Sequence, residues 1–212
     1  MVIKTPLLAA PHRLHFFIGL TQFAALMAWW SWFQGLLATD NPLPPHYIPL
    51  HLLHGPAMIF LALTPLFCGF LLTVFPRWAS LPDLTPSIYL PPAIAFTLAI
   101  ITWWIGIGSG AATVVISAFA LAAAAMLFAG FAMVRVHLEE RRLDKPVTWH
   151  ARSVLLAWLF GATAFGLLLG ALVRSDYNLL LIANRIAVHL FVLPVFVTVA
   201  HRMIPFFAGN VV

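Results

Sequence analysis

The chain has 212 residues, of which 63% are hydrophobic and only 8% charged, and a mean hydropathy of +1.00. That is too little polar surface to cover a water-soluble globule, so the solvent is lipid. The net charge of +5 would suit nucleic acid, but the basic residues flank apolar runs instead of forming a patch, which is what membrane topology requires and what sets nucleic acid aside.

Six apolar runs are long enough to cross a bilayer, which takes about 20 helical residues. They cover approximately 14–37, 48–75, 89–107, 111–136, 153–173 and 179–204. The predicted fold is all-α, a polytopic bundle of six transmembrane helices forming one domain over residues 1–212, without a soluble module. The first run is too long for a signal peptide, and Trp29, Trp30 and Trp32 near its far end read as an interfacial belt. Pro56 and Pro65 fall inside the second run, where each removes a backbone donor, so a bent second helix is expected.

Between the runs lies turn chemistry: Asp40-Asn41-Pro42 with Pro44 and Pro45, then Pro76, Pro82 and Pro86, then Gly108-Ser109-Gly110. The fourth linker, 135–150, is the most charged stretch. Lys4, Arg13, Arg77, Arg135, Arg141, Arg142, Lys145, Arg152 and Arg202 fall on one side of the membrane and only Arg174 and Arg185 on the other. Both termini are therefore expected on the cytoplasmic side. All six acids are read as linker residues, which counts against ion transport built on buried carboxylates.

Chemistry is left to histidine and arginine. His51 and His54 open the second run on nearly the same helix face, and imidazole suits haem iron and copper. Gly55 admits a flat macrocycle near the backbone, and Met58 offers a thioether or simply packs. His189 lies in the sixth run at a depth similar to His54, so the two imidazoles would clamp one haem if their helices pack together. Arg185, one turn earlier, is costly in lipid unless a haem propionate, Asp176 or the headgroups pair with it. The competing reading of these histidines is plain solvation at a membrane interface.

His201 lies about 18 Å deeper than His189 by helical rise and cannot share that site. With Arg202, His12, Arg13, His15 and Arg77 it forms a second layer near the other face. This layer would hold propionates, a quinone headgroup, a second metal or lipid phosphate, or else is a snorkelling positive collar. His46, His137 and His150 are expected to be solvated. The single Cys68 makes no intrachain disulfide. No phosphate loop, nucleophile elbow or zincin motif is present, which leaves hydrolysis unsupported.

Three segments resemble the NnrS family of haem- and copper-associated membrane proteins linked to the bacterial response to nitric oxide. Arg13-Leu14-His15-Phe16-Phe17 is similar to its Arg-Pro-Phe-Phe opening. His54 with Met58, followed by Cys68-Gly69-Phe70-Leu71-Leu72-Thr73-Val74-Phe75-Pro76-Arg77-Trp78, resembles its second helix. His201-Arg202-Met203-Ile204-Pro205-Phe206-Phe207-Ala208-Gly209-Asn210 is similar to its Gly-Arg-x-Ile-Pro-Phe-Phe-Thr-x-Asn segment. Pro56 and Ala57 stand where the family has a second histidine and a glutamate, and the chain has about half the family's spans. A fragment, or a half-length protein that pairs with another chain, would account for that length.

The resemblance implies an inner-membrane protein that binds haem b, with copper as a second candidate, and that serves nitric oxide response or haem and copper handling for respiration. Membrane lipids, and a second copy or a partner membrane subunit, are the expected associates. A shorter likeness, His54-Gly55-Pro56-Ala57-Met58-Ile59-Phe60, is to the haem-ligating segment of haem-copper oxidase subunit I, whose binuclear-centre motifs are missing here. The rival reading is a non-catalytic helical subunit of a respiratory or other membrane complex that binds quinone, lipid or a neighbouring chain.

Overall fold

A computed structural model describes residues 6–39, 48–143 and 149–209, with side chains described as far as Ile204. After a short turn of 3-10 helix at Pro6–Ala9, six long apolar helices follow: α1 (Pro11–Ala38), α2 (Leu50–Trp78), α3 (Pro86–Ser109), α4 (Ala112–Arg142), α5 (Trp149–Arg174) and α6 (Tyr177–Ile204). Each is long and apolar enough to span a bilayer, and the protein is a multi-pass membrane protein. With six crossings, the two termini lie at one end of the bundle, here termed the termini end. The opposite, or far, end carries the α1–α2, α3–α4 and α5–α6 connections.

The helix boundaries follow from local chemistry. Pro11 and Pro86 sit in the first turns of α1 and α3, where the missing N–H costs nothing. Gly110 closes α3 with φ 69°, a left-handed cap that lets α4 begin after Ala111 as the second arm of a tight hairpin. At the start of α6 the Asp176 carboxylate accepts from the Leu179 N–H at 3.0 Å, an N-cap that stops that donor from being stranded.

Helix α2 is the centre of the bundle. Of its most apolar stretch 67% is buried, against 28–44% for the other five. It packs against α1, α4 and α6, and Phe60 stacks on Phe165 of α5 with ring centroids 4.0 Å apart. A Cβ on Gly69 would come within 2.7 Å of the His15 Cβ, so only glycine lets α1 and α2 approach this closely. Two segments singled out by resemblance, around His15 and around Gly69, are therefore one packing contact.

The helix irregularity expected from Pro56 and Pro65 takes a specific form: Met58–Leu63, between the two prolines, is a π-helical turn. Pro65 has no N–H to give to the preceding turn, and the Thr64 hydroxyl reaches back to the Ile59 carbonyl at 2.9 Å. A second π turn, Ala187–Val192, interrupts α6 and touches the first. Pro194 follows this turn by two residues, as Pro65 follows the first, so each π turn is accompanied by a proline that cannot give an N–H to the preceding turn.

The helices are also longer than the apolar runs. α4 continues to Arg142, so Arg135, His137, Glu139 and Glu140 belong to a helix and not to a linker. The expectation that every acid lies in a linker is corrected by Glu140, which is 1% exposed and accepts from His137 Nδ1 at 3.3 Å. Hydropathy marks the lipid-embedded part of a helix, whereas the hydrogen-bonded ladder runs on past it. The triple-tryptophan belt also divides: Trp29 is core, while Trp32 is half exposed.

Candidate functional site

At the far end, α2 and α6 do pack together, since a Cβ on Gly55 would lie 2.9 Å from the Asn184 amide nitrogen. The anticipated clamp does not form, however. His54 is half-buried and stacks on Trp30 of α1, ring centroids 4.1 Å apart and 18° from parallel. His189 faces out of the bundle, and the two imidazoles make no contact. His51 is exposed, and the flat space expected over Gly55 is taken by Asn184.

His189 is nevertheless held in a defined way. Its Nδ1–H donates to the Arg185 carbonyl at 2.8 Å, which fixes the tautomer and leaves the Nε2 lone pair unused on an exposed ring. Metal-binding histidines are oriented by this kind of bond. The Arg185 side chain is exposed beside it, about 12 Å along the helix from Tyr177, and His189 is about 18 Å along it. Around them Leu181, Ile182, Leu190 and Leu193 face outward, a lipid-facing surface with one cation and one imidazole set into it.

The termini-end layer separates into three parts. His15 is fully buried; its Nε2–H donates to the Tyr89 carbonyl of α3 at 3.1 Å, while its Nδ1 has no partner. It is a core histidine, remote in role from the cationic group. Arg77 is bound to Asp83 through two bonds of 2.9 and 3.0 Å. That guanidinium holds the Asp83 carboxyl below the usual carboxylate range.

The third part was not anticipated. His150 was expected to be solvated but is only 9% exposed, with Trp149 stacked on it at 3.9 Å. Its Nε2 lies 3.2 Å from His201 Nδ1, and its own Nδ1 has no partner. The Arg202 guanidinium lies over Trp78 at 5.2 Å. Arg77, Trp78, His150, His201, Arg202 and Met203 line a cavity of about 600 Å³. Arg77, His201 and Arg202 are thus brought together as expected, while His150 arrives from α5. Its helical spacing places it on the inward face with Val154 and Ala157, the one signal by which sequence reasoning would have found it.

Among the described residues no three His, Cys, Asp or Glu side chains gather into a metal site. Cys68 is buried. The charged and aromatic groups therefore form two separate sites at opposite ends of the bundle: an outward-facing pair at Arg185 and His189, and an open recess at His150 and His201.

No curated protein and no solved structure matches this sequence. A family model described as NnrS protein matches residues 6–212, nearly the whole chain and all three motif segments, and the protein belongs to the NnrS family.

Proposed function

We propose that the chain is a haem-binding protein of the bacterial inner membrane, of NnrS type, serving nitric oxide response or the handling of haem and copper for respiration. The observation that carries this reading is His189: an exposed imidazole inside a membrane-spanning helix, its tautomer set by the Arg185 carbonyl so that Nε2 is available. A histidine placed there without a ligand would be an unrewarded polar group in hydrocarbon. His189 would hold the iron, and Arg185 beside it would pair with a propionate. When bound, haem supplies a redox-active iron that can take a small gaseous ligand. The π turn that carries His189 fits this role, because such turns re-aim side chains and recur at functional sites.

His54 enters this reading as a neighbour and not as the opposite ligand, since its ring is committed to Trp30. Copper, the second group, would rest on His51 and His54 completed by a donor from another molecule. The excess of lysine and arginine at the termini end supports a cytoplasmic position for both termini.

The test is a reduced-minus-oxidised spectrum of the purified full chain, produced with ample haem supply. A b-type signal lost in His189→Ala and weakened in Arg185→Gln is expected. A folded chain with no haem, or a signal indifferent to His189, overturns the reading. The same lipid-facing Arg185 favours a second reading, a membrane subunit whose partner covers this face with a carboxylate; co-purification of a second membrane protein that is lost in Arg185→Gln distinguishes it.

A further inference from the structure

Beyond the haem reading, two recesses at the termini end lie one helical turn apart on two helices. The cavity of about 600 Å³ around His150 and His201 lies between the ends of α2, α5 and α6. Directly along α2 and α6 from it lies an apolar groove of about 420 Å³, walled by Phe16, Leu20, Phe67, Phe70, Phe196 and Val199. Phe70 and Val74 are one helical turn apart on α2, as are Val199 and Met203 on α6, with Val74 and Met203 already in the polar cavity. Ala200 of the groove is followed at once by His201 of the cavity. The combined space has a polar, aromatic-walled end at the membrane boundary and a purely apolar end reaching toward the bilayer interior.

We propose that this space is a binding site for an isoprenoid quinone, its ring in the cavity and its tail in the groove. The His150–His201 pair is the main reason to choose a quinone. In a neutral imidazole pair joined N to N, one ring donates and the other accepts. Whichever tautomers are present, the two outer nitrogens are therefore one donor and one acceptor. Such a pair suits a ligand oxygen that changes between carbonyl and hydroxyl, whereas a phosphate asks only for donors. His150 Nδ1 is unpartnered on a side chain more than nine-tenths buried.

Arg77 is bound twice to Asp83, which leaves Arg202, lying on the Trp78 face, as the one cation of the cavity without an acid partner among the described residues. The Trp78 indole and the two imidazoles give the cavity aromatic walls against which a ring can pack. A single groove suits one tail better than the two acyl chains of a phospholipid. Phe67 and Phe196 meet edge to face along it at 6.4 Å.

The experiment uses the purified full chain in phosphatidylcholine nanodiscs and titrates decylubiquinone against the corresponding tail-less quinone. Saturable binding of decylubiquinone is expected, with the tail-less ring binding about tenfold or more weakly. His201→Ala should weaken both ligands about tenfold, and His201→Gln, which keeps a donor and an acceptor, should restore much of the loss. Phe196→Ala, at a largely exposed position, should weaken only the tailed ligand. If His201→Ala does not fold, His201→Gln and the tail comparison decide.

No saturable binding by the folded chain overturns the proposal, as does equal affinity for the two quinones. Displacement of decylubiquinone by phosphatidylglycerol, with binding sensitive to Arg202→Gln but not to the His201 variants, would identify an anionic-lipid site instead. A haem signal unchanged by Phe196→Ala keeps this result separate from the outcome for His189.

Discussion

The two ends of the bundle treat polar side chains in opposite ways. At the termini end, histidines are drawn inside and given protein partners: His15 with a carbonyl of α3, His137 with Glu140, His150 with His201. At the far end His51, Arg185 and His189 face outward, and His54 lies half-buried with an unpartnered nitrogen. Groups of the first kind are chiefly part of what holds six helices together, whereas groups of the second kind add little to that and wait for something beyond the chain. A residue's type is the same at both ends. What differs is how deeply the fold buries it, since His15 and His150 each keep one nitrogen without a partner while the exposed His189 has its Nδ1–H bonded.

The sharpest break in that comparison comes from haem content. His189→Ala is expected to abolish the b-type spectrum while leaving thermal unfolding of the detergent-solubilised chain unchanged; a large drop in unfolding temperature would place His189 with the structural histidines. His54→Ala is expected to retain most of the haem, and equal loss in both variants would restore the two-histidine clamp that the geometry does not form.

Next in size is the buried acid. His137→Ala leaves the Glu140 carboxylate at 1% exposure without its partner and should destabilise the chain by about 3 kcal/mol, with recovery in the double change His137→Ala and Glu140→Leu. Arg185→Leu, in contrast, should be neutral or stabilising for the isolated chain, since it removes an uncompensated charge from a lipid-facing surface; denaturation curves of both variants under one set of conditions test this. A matched loss in Arg185→Leu would show that the far end contributes to folding after all.

The smallest effect is electrostatic. The Asp83 carboxyl is held low by Arg77, so their pairing contributes above the ordinary carboxylate range and is lost as pH falls through the depressed value, below about pH 4. Both partners are exposed, so the contribution is about 0.5 kcal/mol. Asp83→Asn should flatten this part of the acid response, and a response identical in the variant assigns it to other groups.

The span count and the division into two polar layers were legible because apolar length and helical spacing are local properties. Pro56 and Pro65 announced an irregular second helix for the same reason. What stayed hidden is long-range. His150 borders a charged linker in sequence yet is covered by Trp149 and met by His201 from another helix. Glu140 looked like a loop residue because hydropathy ends before the helix does. Pro194 stands beside the π segment that carries His189 but does not say which way its side chains point, and whether His54 would face it depended on Trp30, a residue from a third helix.

The π turn of α2 has a consequence for engineering and for divergence within the family. One extra residue in a helical turn rotates everything beyond it by about 100°. In α2 the residues beyond it include Phe67 and Phe70 of the apolar groove and Arg77 and Trp78 of the polar cavity. Accommodating the extra residue as a π turn within Met58–Leu63 keeps that face toward α1 and α6, so deleting one residue there would regularise the helix with the face unmoved, whereas a regular helix that kept the residue would turn the face away. The middle of this helix can therefore gain or lose one residue and keep the lining of this end in place, provided the π turn forms or vanishes with it.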